Sequence, residues 1–522
     1  MIMTPVPGMR RGTFFVIGSA IVLAALISSH GFAQAQDDPK PSSGTTKKDA
    51  SAPKKDAETA PKKTAEPATA AKEEEADVPA ATGNYEIFKD DRAEEALGKL
   101  KSVGKSCPDT VVAAVKIMAA GEGEVDNDTI QKFVQGMAFK LTNKSSINAL
   151  INPSPVPSGP NQKVPPVSRE IGIAVDNLID PLLIAKAVKN KAFLTAYNKE
   201  LLATLPPLLN NHLVSRVQAA IVLAQTGNPQ VVPIFLTQLK DPKQTVWVKL
   251  WATRAITNLV DGGRAVDSAL SATEAGNAAK VVADYLLAEK ELPWPAELRA
   301  LETLGALRQP AVTTAPQKAE IAAIAMRYLA DPEARLEVRA EAAKALGMFQ
   351  VGSAVSKYNF SLIAYYNGLI AADIAEKVNA NVPEKATASA PGNLTQAEYL
   401  TGLLVSQLYQ SFNGIENARE SGILKVPAAA SSQAYLKQVS DLQFAVAKAC
   451  VDLIRGVGNQ RAGLKKELGN RISALKIFLA KNPPKDFHLV PNGPRYRAPD
   501  DTAAVAEAPT SSATRPKPGS GR

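Results

Sequence analysis

Residues 239–256 read LKDPKQTVWVKLWATRAI, and residues 329–346 read LADPEARLEVRAEAAKAL. Both carry Asp-Pro, five residues, Val, then Lys or Arg, two residues and Ala. Asp241, Val248, Lys249, Ala252, Ala255 and Ile256 correspond to Asp331, Val338, Arg339, Ala342, Ala345 and Leu346, an offset of 90. The segments ahead match as well, with Ile234, Leu236 and Leu239 against Ile324, Met326 and Leu329. Val338, Ala342, Ala345, Leu346 and Phe349 fall at helical spacing on one face. So narrow an apolar stripe does not stabilise a lone helix, because helical stability comes mostly from packing. Stacking neighbours buries it, which is why such units come in arrays. The Asp-Pro pairs read as helix starts, a capping Asx followed by Pro at the first helical position. Asp180-Pro181 and Asn228-Pro229 carry the same signal. The Lys or Arg after the Val is expected to pack its stem and pair with the neighbouring repeat's Asp.

A third unit, PAELRALETLGALRQ at 295–309, lies between the two with a one-residue slip, and VSRVQAAIVLAQTG at 214–227 precedes them without the Asp-Pro. The repeat is then about 45 residues, within the range of HEAT units. Residues from about 200 to 350 resemble the HEAT family. The resemblance implies an α-solenoid of stacked helix pairs used as a binding scaffold, and it says little about function. The rest of the chain fits an all-α class. Aromatics are 5% of 522 residues and Ala is abundant, a balance that favours close helix-on-helix packing. The expected organisation is a signal peptide at 1–35, a disordered Lys/Pro/Ala/Glu-rich linker at 36–84, and an N-terminal helical region at 85–200 with a Pro-rich loop at 152–168. HEAT-like repeats follow at 201–357, then a C-terminal helical bundle at 358–486 and a disordered tail at 487–522. The linker and tail lack the apolar residues needed to offset ordering entropy.

The N-terminus addresses the chain. Arg10 and Arg11 precede an uncharged stretch, GTFFVIGSAIVLAALISS, and Ala33-Gln34-Ala35 is a small-x-small cleavage site. Export to the periplasm or the exterior is expected, with a mature N-terminus at Gln36 and no membrane span afterwards. The alternative is an uncleaved helix anchoring the protein in the inner membrane, since about 20 uncharged residues can cross a bilayer. The formal charge is +9, mixed in sign without a dense basic stripe, so nucleic acid is not expected as a partner.

Chemical motifs are sparse. ALGKLKSVGKS at 96–106 imitates a phosphate loop, but Gly98 and Gly104 enclose five residues where the motif has four. Gly104 reads instead as a left-handed helix cap, and Ser106 with Asp109 as the capping box of the next helix, Pro108 in its first turn. His212 and His488 lack metal-ligating neighbours at any known spacing, so no cofactor and no metal is expected, and His212 reads as a surface or capping residue at a helix start. Cys107 and Cys450 are far apart in sequence, with a disulfide left open. No catalytic residue is assigned.

Trp247 and Trp251 are the candidate protein-binding patch. They stand four apart on one helical face, where the sister unit has Glu337 and Glu341, positions expected to be exposed. The competing reading packs both indoles beneath the connection at 260–275. The functional expectation is a non-catalytic interaction scaffold binding a protein partner in the cell envelope. The rivals are an envelope enzyme with a hidden carboxylate site and a binder of peptidoglycan or polysaccharide.

Overall fold

A computed structural model describes residues 100–151, 169–261, 270–288, 292–312, 316–352, 355, 357–384, 391–415 and 421–496. The expected signal peptide at 1–35, the expected linker at 36–84, the expected loop at 152–168 and residues 497–522 lie outside the described residues. Among the described residues the protein is all-helical, with no strand and a single isolated bridge, His488 to Arg495.

Five helices open the described chain: α1 (Asp109–Ala120), α2 (Asn127–Leu141), α3 (Lys144–Ile151), α4 (Glu170–Ala187) and α5 (Lys191–Thr204). Asp126 caps α2 through the Asp128 N–H, and Asn190 caps α5 through the Phe193 N–H. α4 overturns one reading of the sequence. Pro181 is buried inside it, so Asp180-Pro181 begins nothing. Asp180 instead pairs with Lys116 of α1 at 3.4 Å. Nor does Ser106 cap α1, whose N-cap is Pro108 with no side-chain bond. No helix precedes Gly104 among residues 100–103. Its φ of +79° serves a close approach, because an added Cβ would lie 2.5 Å from the Gln135 carbonyl oxygen.

Helix pairs follow: α6 (Leu213–Gln225), α7 (Val231–Lys240) with α8 (Val246–Asp261), α9 (Ala272–Ala288) with α10 (Trp294–Leu307), and α11 (Glu320–Ala330) with α12 (Leu336–Met348). The sequence repeat is a repeat of backbone geometry. Asp241 and Asp331 end α7 and α11 with φ/ψ of −74°/112° and −77°/111°. Each carboxylate accepts the N–H two residues on, at 2.8 Å from Lys243 and 2.9 Å from Glu333. The second helix starts five residues after each Asp. The Asp-Pro pair therefore builds the turn inside the hairpin, closing the first helix rather than opening the second.

α6, α8, α10 and α12 pack in series, and α7, α9 and α11 form a second series beside them. Lys249 and Arg339, buried at equivalent positions, each reach the next element, and the partner of Arg339 is an Asp of the following helix group rather than a repeat Asp. The Lys249 ammonium lies 5.3 Å from the Tyr285 ring of α9. Arg339 meets Asp373 at 3.1 Å and donates to the Leu329 carbonyl at 3.2 Å. Close packing depends on small residues: an added Cβ on Gly305 of α10 would sit 3.0 Å from the Ala345 Cα of α12.

The last group is α13 (Phe360–Asn381), α14 (Pro391–Leu403), α15 (Tyr409–Asn413), α16 (Gln433–Arg455) and α17 (Gln460–Lys481). α13 packs against α14, α16 and α17. A π turn at Leu404–Leu408 joins α14 to α15, and this stretch lies against α12. At that crossing Ser411 donates to the Ala343 carbonyl at 2.7 Å and receives the Asn367 amide at 2.8 Å. The expected tail at 487–522 begins too early. Leu489 and Val490 are buried, Phe487 meets the Tyr365 ring edge-on at 5.9 Å, and the Tyr496 hydroxyl donates to the Ala323 carbonyl of α11 at 3.0 Å. Phe487, Leu489, Val490 and Tyr496 bury enough apolar surface to hold a segment that composition assigns to a tail. Cys107 and Cys450 are both buried and unbonded.

Candidate functional site

The starting ends of α8, α10 and α12 lie along one edge. Lys249, near the start of α8, sits over Tyr285 near the end of α9. α10 begins shortly after α9 ends, so α8 and α10 start at the same end. The Arg335 guanidinium, just ahead of α12, stacks over the Trp294 ring at 4.7 Å, which brings the starts of α10 and α12 together. Midway along, Arg254 of α8 meets Glu302 of α10 at 3.2 Å, and the Thr257 and Thr303 hydroxyls are 3.0 Å apart.

Trp247 is 38% exposed, so the reading that buried it beneath 260–275 does not hold for this residue. Trp251 is half-buried and packs against the core. The sequence comparison missed Trp294, which is equally exposed at 38% at the first position of α10. The chain has three tryptophans, and all three lie on α8 and α10. Tyr399 of α14, 50% exposed, extends the strip. Burial pushes its hydroxyl pKa up, with Glu337 adding to the shift and Arg335 opposing it.

Glu337 and Glu341 correct the other half of the expectation. Both are buried, at 9% and 3% exposure. Arg335 holds Glu337 with two hydrogen bonds of 3.1 and 3.3 Å. Glu341 accepts from Lys344 at 2.9 Å, beside the Arg299 and Glu302 pair of α10. Burial pushes the Glu341 carboxyl up, Lys344 opposes the shift and Glu302 adds to it. Arg254, Glu302, Arg299, Glu341 and Lys344 thus form an alternating chain of charges across three helices, with every charge answered inside the protein.

Other polar groups are structural. His212 is buried rather than on the surface, and its Nδ1 caps α6 by accepting the Val214 N–H at 3.2 Å. The Glu297 carboxyl is pushed up by burial, against the pull of Arg327 and with a push from Asp331. Among the described residues no cluster of three His, Cys, Asp or Glu could hold a metal ion, and no helix is long and apolar enough to cross a membrane. A groove of about 790 Å³ opens on the other helix series, between Lys280, Asp284 and Leu287 of α9, Ile321 and Ile324 of α11, and the segment around Asn492. No protein-family model, curated protein or solved structure matches the chain.

Proposed function

We propose that this protein is an exported, non-catalytic interaction scaffold, in which HEAT-like helix pairs form an α-solenoid that presents an aromatic edge to a protein partner in the cell envelope. The observation that carries the reading is the placement of Trp247, Trp294 and Tyr399 on one exposed edge, their neighbouring charges already paired. Aromatic side chains with Arg beside them are the residues that dominate binding energy at protein interfaces. The basic, apolar and Ala-x-Ala features at residues 9–35 support export, and intact mass of the exported protein checks cleavage before Gln36. The partner is tested by placing a photo-crosslinking residue at position 247 in cells. A specific crosslinked protein, lost in a Trp294→Ala background that still folds, supports the scaffold. Crosslinks indistinguishable from those of a distant surface position sink it.

One observation favours a second reading, an anionic cell-wall polymer as ligand. α17 carries Arg461, Lys465, Lys466, Arg471, Lys476 and Lys481 against a single acid, Glu467. Sedimentation with isolated wall polymer that vanishes at moderate salt would favour it, because attraction between exposed charges is screened.

A further inference from the structure

We infer that the aromatic edge of α8, α10 and α14 is a docking strip for an uncharged proline-rich segment in polyproline II conformation, running across the helix starts. The inference rests on the scaffold reading and names the partner's chemistry. Three features of the strip lead to it.

The first is spacing. Packed helices lie about 8–10 Å apart. A polyproline II strand has three residues per turn and rises 3.1 Å per residue, so one face recurs every ~9.3 Å. Prolines three apart therefore step from one helix to the next. Contacts between Arg254 and Glu302 and between Thr257 and Thr303 place the two helices in register. These contacts have offsets of 48 and 46 residues, so Trp247 stands level with positions 293–295 of the neighbouring chain segment and Trp294 lies at the same height, within about 1.5 Å along the axis. The two indoles are neighbours on adjacent helices at nearly one height, as a strand crossing the helices requires.

The second is charge. Arg335 is held by Glu337 while it stacks on Trp294, Arg254 and Arg299 both meet Glu302, and Lys344 meets Glu341. These four cations and three carboxylates pair among themselves and leave a net of only one positive charge, so the strip offers little to an ionic ligand. It matches an uncharged occupant. The third is chemistry. Proline rings pack on aromatic faces, and the preformed strand loses little entropy on docking, which is how aromatic-lined grooves recognise such segments.

The test uses the full chain and a fluorescein-labelled short uncharged peptide with proline at every third position. A second peptide has the same composition with the prolines unevenly spaced. Anisotropy should rise saturably with the first peptide and at least about tenfold more weakly with the second. Trp247→Ala and Tyr399→Ala should each weaken binding about tenfold, an effect typical of interface hot spots. Helical circular dichroism must be unchanged in both variants, and tryptophan emission should shift on binding because every indole of the chain lies on α8 and α10. Equal affinity for the two peptides, or none for either, overturns the inference. An uncharged oligosaccharide that binds where the peptide does not also overturns it and makes the strip a sugar platform. If the peptides fail while crosslinking from position 247 still captures a specific protein, the scaffold reading stands and only the proline-rich occupant falls.

Discussion

Gly347 and Gly402 set up opposite outcomes for one substitution. Both are helical glycines, where alanine is worth roughly 0.5–1 kcal/mol of intrinsic helix propensity. Around Gly402 in α14 an added Cβ meets nothing within 4 Å, so Gly402→Ala should gain up to about 1 kcal/mol. At Gly347 in α12 the same methyl lands on the Ser411 backbone, 2.5 Å from its Cα. Carbon atoms pack at about 3.5–4.0 Å, so the α15 backbone must retreat by at least about 1 Å. That movement strains two bonds which tie the crossing, Gly422 N–H to the Gly347 carbonyl at 2.6 Å and Ser411 hydroxyl to the Ala343 carbonyl at 2.7 Å. Overpacking costs about 1–3 kcal/mol and each weakened buried bond about 1 kcal/mol. After subtracting the propensity gain, Gly347→Ala should lose about 2–4 kcal/mol. Urea unfolding followed by circular dichroism measures both variants. A Gly347→Ala protein as stable as the parent would show that α15 does not press on α12 and would refute the packing argument.

Trp247→Glu should leave stability within about 0.5 kcal/mol, as exposed substitutions do, whereas Trp251→Glu, placing a charge against the core, should cost several-fold more; thermal melts compare the two. Glu341 titrates with a raised pKa, so its contribution to stability is fully present below the ordinary value of 4.5 and is lost as pH rises through the folded value. The stability of Glu341→Gln relative to the parent should therefore be greatest at neutral pH and fall as pH is lowered toward 4, and denaturant curves across that window check the sign. Burial pushes the Cys450 thiol up to about 12 and raises Cys107 too, so neither should react with a thiol reagent at neutral pH until the chain is unfolded in denaturant.

The helical hairpins were legible because the signal is local. Asp241 and Asp331 each organise their own turn through an N–H two residues away, and that geometry needs no information from elsewhere in the chain. The same dipeptide misled at Asp180-Pro181, where burial of Pro181 and the Lys116 pair hold a helix through the proline. Glu337 and Glu341 look like surface residues only while α12 is considered alone. Arg335, and the Arg299–Glu302 pair of α10, reach them from outside the helix and change their environment. Trp294 has no counterpart at the 90-residue offset, because α10 is the unit that carries neither the Asp-Pro nor the same register. The signal that could have found it was already in the composition: three tryptophans in the whole chain, all within residues 247–294. The segment around Leu489 escaped for the opposite reason. Its few apolar residues are set among Pro, Asn and Gly, and only the surfaces of α11 and α13 make them a core.

The bond from the Tyr496 hydroxyl to the Ala323 carbonyl joins groups 173 positions apart and has a consequence for the order in which the molecule matures. During synthesis the helix pairs up to α12 can form on their own contacts as they leave the ribosome. The clasp over α11 must wait for nearly all of the remaining chain, including all of α13 to α17. Until then the flank of α11 beneath Val490 and Tyr496 is open to water, and closing so long a loop carries an entropic cost that the later contacts must offset. The nascent protein thus passes through a stage with its repeats built and its last latch unset. A chain released before residue 487 would remain at that stage permanently.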